Sequence, residues 1–224
     1  IYMRTLRYML PQQIVLGHLN YETIIPILDK IKGLLDERGY VTNYCPLVGH
    51  GALRCAVTGM APGAPDRAEL AAMRLLLEQS LSAGAFGLSS GLTYPPSLYA
   101  EHTELTELAR CLDDTRVYTT HLRSEGAGLL DAVQEALALA REAGCRLQVS
   151  HLKAMGRPNW GATAAALSTL DRARDSGMRV AQDVYPYTAA STSLLALLPP
   201  SFLTGTSAEV LERLSAPGAA HPVS

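Results

Sequence analysis

The strongest constraint on the fold is a repeating order of apolar strand, loop and amphipathic helix that begins at about residue 40. Short apolar segments typical of buried strands recur at roughly thirty-residue intervals, over residues 40–48, 84–90, 116–119, 146–149 and 179–184. Helical patterns separate and follow them, over residues 66–82, 101–112, 129–143, 162–176 and 207–214. This alternation predicts a parallel sheet whose strands are joined by right-handed helical crossovers.

Residues with strong end preferences support the positions of these helices. Asp66 is of a type that caps helix N-termini, and it directly precedes a segment with leucines at helical spacing. Gly144 and Gly177 follow two other helical segments, at the position where glycine commonly ends a helix. A further helical pattern over residues 21–37 precedes the first strand.

Both a TIM-type (β/α)8 barrel and an open doubly wound sheet satisfy this alternation. No Gly-x-Gly-x-x-Gly follows the first strand and no Gly-Lys-Ser/Thr loop occurs, which disfavours a nucleotide-binding open sheet. Polar residues, including histidines, at successive strand ends favour the barrel. We therefore predict an α/β fold, a TIM-type barrel with about five βα units present. Residues 1–20 are unassigned, residues 21–215 form the partial barrel domain, and residues 216–224 form a tail.

Composition excludes several classes of partner. The net charge is −2 and no basic block occurs, so nothing favours nucleic acid or an anionic membrane. Apolar stretches are too short and too interrupted to cross a bilayer. The four cysteines lie far apart without a Cys-x-x-Cys pair, which predicts reduced thiols and a cytoplasmic location. The chain opens with Ile1 rather than Met, from which we expect a piece of a longer protein.

Two segments with the same pattern of residue types carry the main functional signal. Thr120-His121-Leu122-Arg123 and Ser150-His151-Leu152-Lys153 each follow a predicted strand, one βα unit apart. Parallel strands place such residues at the same end of the sheet, so the two imidazoles can converge on one metal ion. The alternative is a pair of hydrogen-bonded histidines at the rim of the sheet. Zinc suits neutral imidazole, and a catalytic zinc keeps one position open for water.

Residues near the two histidines allow more than one interpretation. Lys153 can receive a substrate carboxylate as a point charge. Arg123 is interpreted as a solvated loop charge, and Glu125 either orients Arg123 or belongs to the start of the next helix. The run 183–192 supplies two tyrosines and several hydroxyls around a proline, either as substrate contacts or as an ordinary polar loop.

Two further residues are weaker candidates. His50 lies between two glycines after the first strand, and a substrate contact or a tight turn is favoured over a third metal ligand. Cys45 is a conceivable thiolate ligand, but its place inside the predicted first strand favours a buried, inert thiol.

The motifs together resemble the N-acyl-D-amino-acid deacylases (D-aminoacylases) of the amidohydrolase superfamily. The resemblance covers about residues 33 to 215 and rests on five segments, at 47–54, 84–96, 120–125, 150–153 and 183–188. It implies a zinc-dependent TIM barrel that hydrolyses the amide of a small-molecule N-acyl-D-amino acid to a carboxylate and a free D-amino acid. Other amidohydrolases, such as hydantoinases and dihydroorotases, generally bridge two metals with a modified lysine on the fourth strand. Residues 84–91 contain no lysine, so the resemblance points away from these enzymes.

The resemblance also implies roles for individual residues. His121 and His151 would be zinc ligands from consecutive barrel strands, and Lys153, Tyr185 and Ser191 would bind substrate, with Lys153 facing the amino-acid carboxylate. The family's His-x-His, its Gly-Asn-Cys-Gly turn and its late general acid/base aspartate have no counterpart here. We therefore expect the acid/base aspartate to lie outside this chain and the chain alone to be inactive or nearly so. A non-catalytic truncated relative and another amide or cyclic-amide amidohydrolase are the alternatives.

Overall fold

A computed structural model describes residues 45–187 continuously. It also describes residues 30, 33, 34, 36–39, 189, 192, 198, 202, 203 and 207–216. Of the predicted helix at 21–37, the described residues 30, 33, 34, 36 and 37 are helical, and the others lie outside the described part. The unassigned segment 1–20, Ser191 and residues 217–224 of the predicted tail also lie outside it.

Five strands form one parallel sheet, and their order in space is their order in the chain. The strands are β1 (Leu47–Gly49), β2 (Gly87–Gly91), β3 (Val117–His121), β4 (Arg146–Val149) and β5 (Val180–Gln182). A doubly wound sheet reverses its strand order at a switch point, and this sheet has no such reversal among its five strands. The fold is therefore an α/β, partial barrel-like fold of the TIM type, as predicted.

Six α-helices connect or follow the strands in the described part of the chain. They are α1 (His50–Val57), α2 (Arg67–Ser82), α3 (His102–Ala109), α4 (Leu129–Ala143), α5 (Ala162–Asp175) and α6 (Ser207–Ser215). Short 3-10 turns lie at Ser97–Tyr99 and Arg157–Asn159. The first helix corrects the sequence interpretation, because the Gly-His-Gly segment after β1 begins a helix rather than forming a tight turn.

Local signals account for the helix ends that the sequence predicted well. Asp66 accepts hydrogen bonds from the backbone N–H groups of Ala68 and Glu69, both at 2.8 Å, and the Glu69 carboxylate accepts one from Asp66 N–H at 2.8 Å. This reciprocal capping box fixes the start of α2. At the end of α4, Gly144 adopts the left-handed conformation with φ 73°, which a residue with a side chain rarely adopts.

The sheet face covered by the helices forms the core. Leu88, Tyr118 and Leu147 on neighbouring strands are buried against helix residues such as Leu105 and Leu137. Burial alternates along β3, with Tyr118 and Thr120 buried and His121 partly exposed on the opposite face. The core therefore fixes the strand register and leaves the His121 side of the sheet for polar groups. None of the helices in the described part of the chain combines the length and the apolar composition that a membrane span requires.

Candidate metal centre

The two histidines of the repeated pattern meet at the carboxyl ends of β3 and β4. His121 is the last residue of β3, and His151 lies two residues beyond the end of β4. Nδ1 of His121 is 2.9 Å from Nε2 of His151, and the ring centroids are 4.5 Å apart in an edge-to-face arrangement. The predicted convergence of the two imidazoles is therefore present.

A carboxylate completes a group of three candidate metal ligands. In the described residues, the set of three or more His, Cys, Asp or Glu side chains that could share an ion consists of His121, Glu125 and His151. One ligand atom from each residue lies within 4.8 Å of the others. Glu125 is buried in the loop between β3 and α4, and its Oε1 is 3.0 Å from His151 Nδ1.

Burial and neighbouring charges set the protonation of the site. Burial, and then the charges of His151 and Lys153, lower the pKa of His121 to about 4, although the charge of Glu125 opposes them. His121 is therefore a neutral imidazole at neutral pH, the form that binds zinc. Burial alone would raise the pKa of Glu125, but hydrogen bonds from His151 and Lys153 lower it overall, which keeps the carboxylate ionised.

Lys153 and Tyr185, two of the predicted substrate-binding residues, lie beside the histidine pair. The Lys153 ammonium donates to Glu125 Oε1 at 2.5 Å and to the His151 carbonyl at 3.2 Å. Its nitrogen is 5.4 Å from the centroid of the Tyr185 ring, within the range of a cation–π contact. The Tyr185 ring lies 6.1 Å from that of His151. The third predicted residue, Ser191, is outside the described residues.

Tyr94 belongs to the site and was not singled out from the sequence. Its ring centroid is 5.3 Å from that of His121, and its hydroxyl lies 2.7 Å from Oγ1 of Thr192. The loop after β2 carries Tyr94, so the contact joins three separate segments. Tyr94 lies within the 84–96 segment of the family resemblance, and a tyrosine in the loop after a predicted strand was the signal that could have identified it.

The interpretations of Arg123 and Glu125 from sequence were wrong. Arg123 is not a solvated charge, because it forms a forked ion pair with Glu135 of α4 at 2.8–3.0 Å. It also donates to the carbonyls of Leu98 and Ala100, which ties the end of β3 to the loop after β2. Glu125 therefore does not orient Arg123, and contacts His151 and Lys153 instead.

The backbone of His151 has an uncommon conformation. Its φ is +39°, the one positive value among the described non-glycine residues. The Asp183 carboxylate after β5 accepts a hydrogen bond from the His151 backbone N–H at 2.7 Å and another from the Gln148 amide at 2.6 Å. Such outliers persist where surrounding contacts hold them, and they concentrate at functional sites. Asp183 therefore helps to fix the direction in which the His151 ring points.

His50 is part of a buried polar network rather than a substrate contact. Its ring nitrogens lie 2.8 Å from Ser97 Oγ and 2.8 Å from Glu104 Oε1. Glu104 also pairs with Arg54 through two hydrogen bonds of 2.8 and 2.9 Å, and His50 and Arg54 are fully buried. Cys45 also differs from expectation, because its side chain is exposed rather than buried.

Comparison with known proteins identifies relatives of one kind. The chain is 42% identical over 164 residues to an N-acyl-D-glutamate deacylase and 41% identical over 162 residues to an N-acyl-D-aspartate deacylase. It is 35% identical over 179 residues to a D-aminoacylase, and all three relatives are from Alcaligenes xylosoxydans xylosoxydans. The matches cover 71–80% of this chain but only 32–36% of each relative, so the chain spans about a third of their length. No protein-family model matches the chain.

Solved structures of the same kind share the fold. An N-acyl-D-glutamate deacylase from Bordetella bronchiseptica, solved with zinc and a phosphonate mimic of the tetrahedral intermediate, superimposes with a TM-score of 0.66 and 44% identity. The match covers 69% of this chain and 33% of that structure. A D-aminoacylase structure, described as defining a novel subset of amidohydrolases, matches with a TM-score of 0.60 and 36% identity over 63% of this chain and 30% of that one.

Proposed function

Because this chain belongs to the N-acyl-D-amino-acid deacylases and D-aminoacylases of the amidohydrolases, we propose that it supplies part of a zinc-dependent deacylase site. The proposed reaction hydrolyses the amide of an N-acyl-D-amino acid and releases a carboxylate and a free D-amino acid. The observation that carries the proposal is the 2.9 Å approach of His121 Nδ1 to His151 Nε2 at the carboxyl end of the sheet.

The donor set fits zinc. A tetrahedral zinc with Zn–N distances of about 2.0–2.1 Å places two ligand nitrogens about 3.3–3.4 Å apart. The two facing nitrogens, 2.9 Å apart, need to separate by less than about half an ångström to reach this spacing. The lowered pKa of His121 keeps that imidazole in the ligand form at neutral pH. We propose His121 and His151 as the zinc ligands of this chain.

The substrate side of the proposal rests on the residues next to the pair. The chemistry that zinc supplies when bound is polarisation of a carbonyl and activation of water as the nucleophile. Lys153 places a cation beside His151, where it can bind the carboxylate of an amino-acid substrate. The rings of Tyr94 and Tyr185 flank the pair and would form walls of the site. Ser191 remains a proposed substrate contact from the family resemblance.

Three further features are part of the same proposal. We infer one catalytic-domain segment over residues 21–215, because its five described strands form a single sheet and helices α1 to α5 share one core with that sheet. The four cysteines are all free thiols, which supports a reducing, cytoplasmic location. We propose that the chain alone turns substrate over poorly, because the general acid/base aspartate that the family resemblance implies has no counterpart in this sequence. Removal of such a residue typically costs about 10²–10⁴-fold in rate.

A zinc titration with matched histidine variants tests the proposal. The purified protein is titrated against a zinc chelator, and hydrolysis of N-acetyl-D-glutamate, N-acetyl-D-aspartate and their L-enantiomers is measured in parallel. His121→Asn and His151→Asn should each abolish tight zinc binding. His102→Asn is the control, because in the described structure the partly exposed His102 side chain pairs with Glu142 and not with the site, so this variant should leave zinc affinity unchanged.

Two results would contradict the proposal. Zinc affinity that is equal in wild type, His121→Asn and His151→Asn would show that the pair does not bind the ion. Tight zinc binding accompanied by hydrolysis of L- but not D-substrates would retain the metal site and reject the proposed substrate class.

A further inference from the structure

Glu125 occupies a buried position between the proposed zinc ligand and the proposed carboxylate-binding cation. Only 7% of its surface is exposed, and Oε1 contacts both His151 Nδ1 at 3.0 Å and Lys153 Nζ at 2.5 Å. Its backbone carbonyl accepts a hydrogen bond from Met155 N–H at 2.6 Å. This backbone hydrogen bond joins the loop after β3 to the loop after β4, and the His151 and Lys153 contacts hold the Glu125 carboxylate in place.

We propose that Glu125 is a positioning residue that accepts the Nδ1 proton of His151 and so presents Nε2 of that ring to the zinc ion. This inference rests on the proposed function, because it assigns Glu125 a role toward the zinc ligands. It differs from a role as a third ligand.

The directions of the ring nitrogens separate the two roles. The nitrogens that face one another are His121 Nδ1 and His151 Nε2, so an ion between the histidines binds these atoms. Glu125 Oε1 instead contacts the other nitrogen of His151, which points away from Nε2. The second carboxylate oxygen is 4.0 Å from Nε2 of His121, again not the nitrogen that faces its partner. Glu125 therefore lies behind the His151 ring rather than between the two rings.

The positions of the protons also support a role of Glu125 behind the His151 ring. A neutral imidazole that binds a metal through Nε2 carries its proton on Nδ1, and an ionised carboxylate is the usual acceptor for that proton. Lys153 Nζ is 3.1 Å from the same Nδ1 and, as an ammonium, could only donate to it, which would require that Nδ1 carry no proton. Lys153 instead donates to the shared Glu125 oxygen and supplies the countercharge for this buried carboxylate.

The experiment compares Glu125→Gln with Glu142→Gln in the purified full chain, with zinc affinity measured by chelator competition. Glu142 is a matched control, because it also contacts a histidine, at 3.1 Å from His102 Nε2, but lies outside the site. Loss of a carboxylate behind a ligand histidine typically costs about 10- to 100-fold in metal affinity. We expect that loss for Glu125→Gln and no change for Glu142→Gln.

A second measurement needs no variant and covers the case in which Glu125→Gln fails to fold. Nitrogen-15 NMR of histidine-labelled, metal-free wild type at pH 8 reports which ring nitrogen carries the proton. The proton on Nδ1 of His151 supports the proposal, and a proton on Nε2 overturns it. Unchanged zinc affinity in a folded Glu125→Gln variant also overturns it while leaving the zinc site intact. Wild type that binds no zinc rejects the proposed function, and this inference with it.

Discussion

Replacing Glu104 with glutamine should strongly destabilise the fold that supports the site. The carboxylate accepts hydrogen bonds from Arg54 Nε and Nη2 and contacts the ring of His50, and all three residues are buried. Glutamine preserves the shape but removes the charge that balances the buried guanidinium of Arg54. Removing one partner of a buried ion pair costs about 3–5 kcal/mol, because the remaining charge is left uncompensated.

The effect can be measured by thermal and urea unfolding of the purified protein. For a domain of this size, about 1 kcal/mol lowers the melting temperature by about 2–4 °C, so Glu104→Gln should lower it by about 6–20 °C. Glu107→Gln is the matched control on the same helix, because Glu107 pairs with Arg74 and Arg110 at partly exposed positions. Pairs of that kind contribute about 0–1 kcal/mol.

A double variant separates lost charge balance from lost packing. Arg54→Met combined with Glu104→Leu removes both charges, so it should cost less free energy of unfolding than Glu104→Gln alone. A destabilisation below about 1 kcal/mol for Glu104→Gln would refute the reasoning, since a buried arginine without its counter-ion should lower the free energy of unfolding by more than that. A double variant less stable than the single one would show that packing, not charge, dominates.

Three further outcomes are expected from the same geometry. Burial lowers the pKa of His50 below 6.5, and the His50 and Arg54 contacts lower that of Glu104 below 4.5 despite its burial, so the unfolded chain binds more protons in acid. The free energy of unfolding should therefore fall as the pH drops from about 6.5 through 4.5, and urea titrations showing constant stability would contradict this. Lys153→Met should raise the Kd of the zinc-loaded protein for an N-acyl-D-amino acid about 10- to 150-fold, the equivalent of about 1.5–3 kcal/mol for a charged hydrogen bond, and an unchanged Kd in calorimetric titration would be the opposing result. Asp183→Ala should weaken zinc binding, because it removes the hydrogen bond that holds the His151 backbone at its positive φ. An unchanged zinc affinity in chelator competition would contradict this expectation.

Local signals explain why much of the fold could be predicted from the sequence. The bounds of α4 and β4 match their predicted ranges, since Gly144 ends the helix and the apolar strand follows directly. The predicted and observed bounds agree less well where residues of a predicted strand belong to a turn instead. The segment 84–86 is not part of β2, because Gly84 has φ 108° and Phe86 N–H donates to Pro46 before the regular ladder begins.

The convergence of His121 and His151 could also be predicted, because consecutive parallel strands place their carboxyl ends side by side. The partners of Arg123 and Glu125 could not be predicted from the sequence. Arg123 pairs with Glu135 twelve residues away, and Glu125 meets Lys153 from the loop of the next strand. Those pairings depend on the loop paths across the sheet end, which strand periodicity and helix caps do not specify.

Zinc-edge X-ray absorption of the zinc-loaded protein tests the central claim most directly. Two imidazole nitrogens at about 2.0–2.1 Å are expected in wild type, and His121→Asn or His151→Asn should each lose one of them. The Glu142→Gln protein should give the wild-type spectrum. A wild-type spectrum without imidazole scattering, or one that neither histidine substitution changes, would show that His121 and His151 do not share the ion.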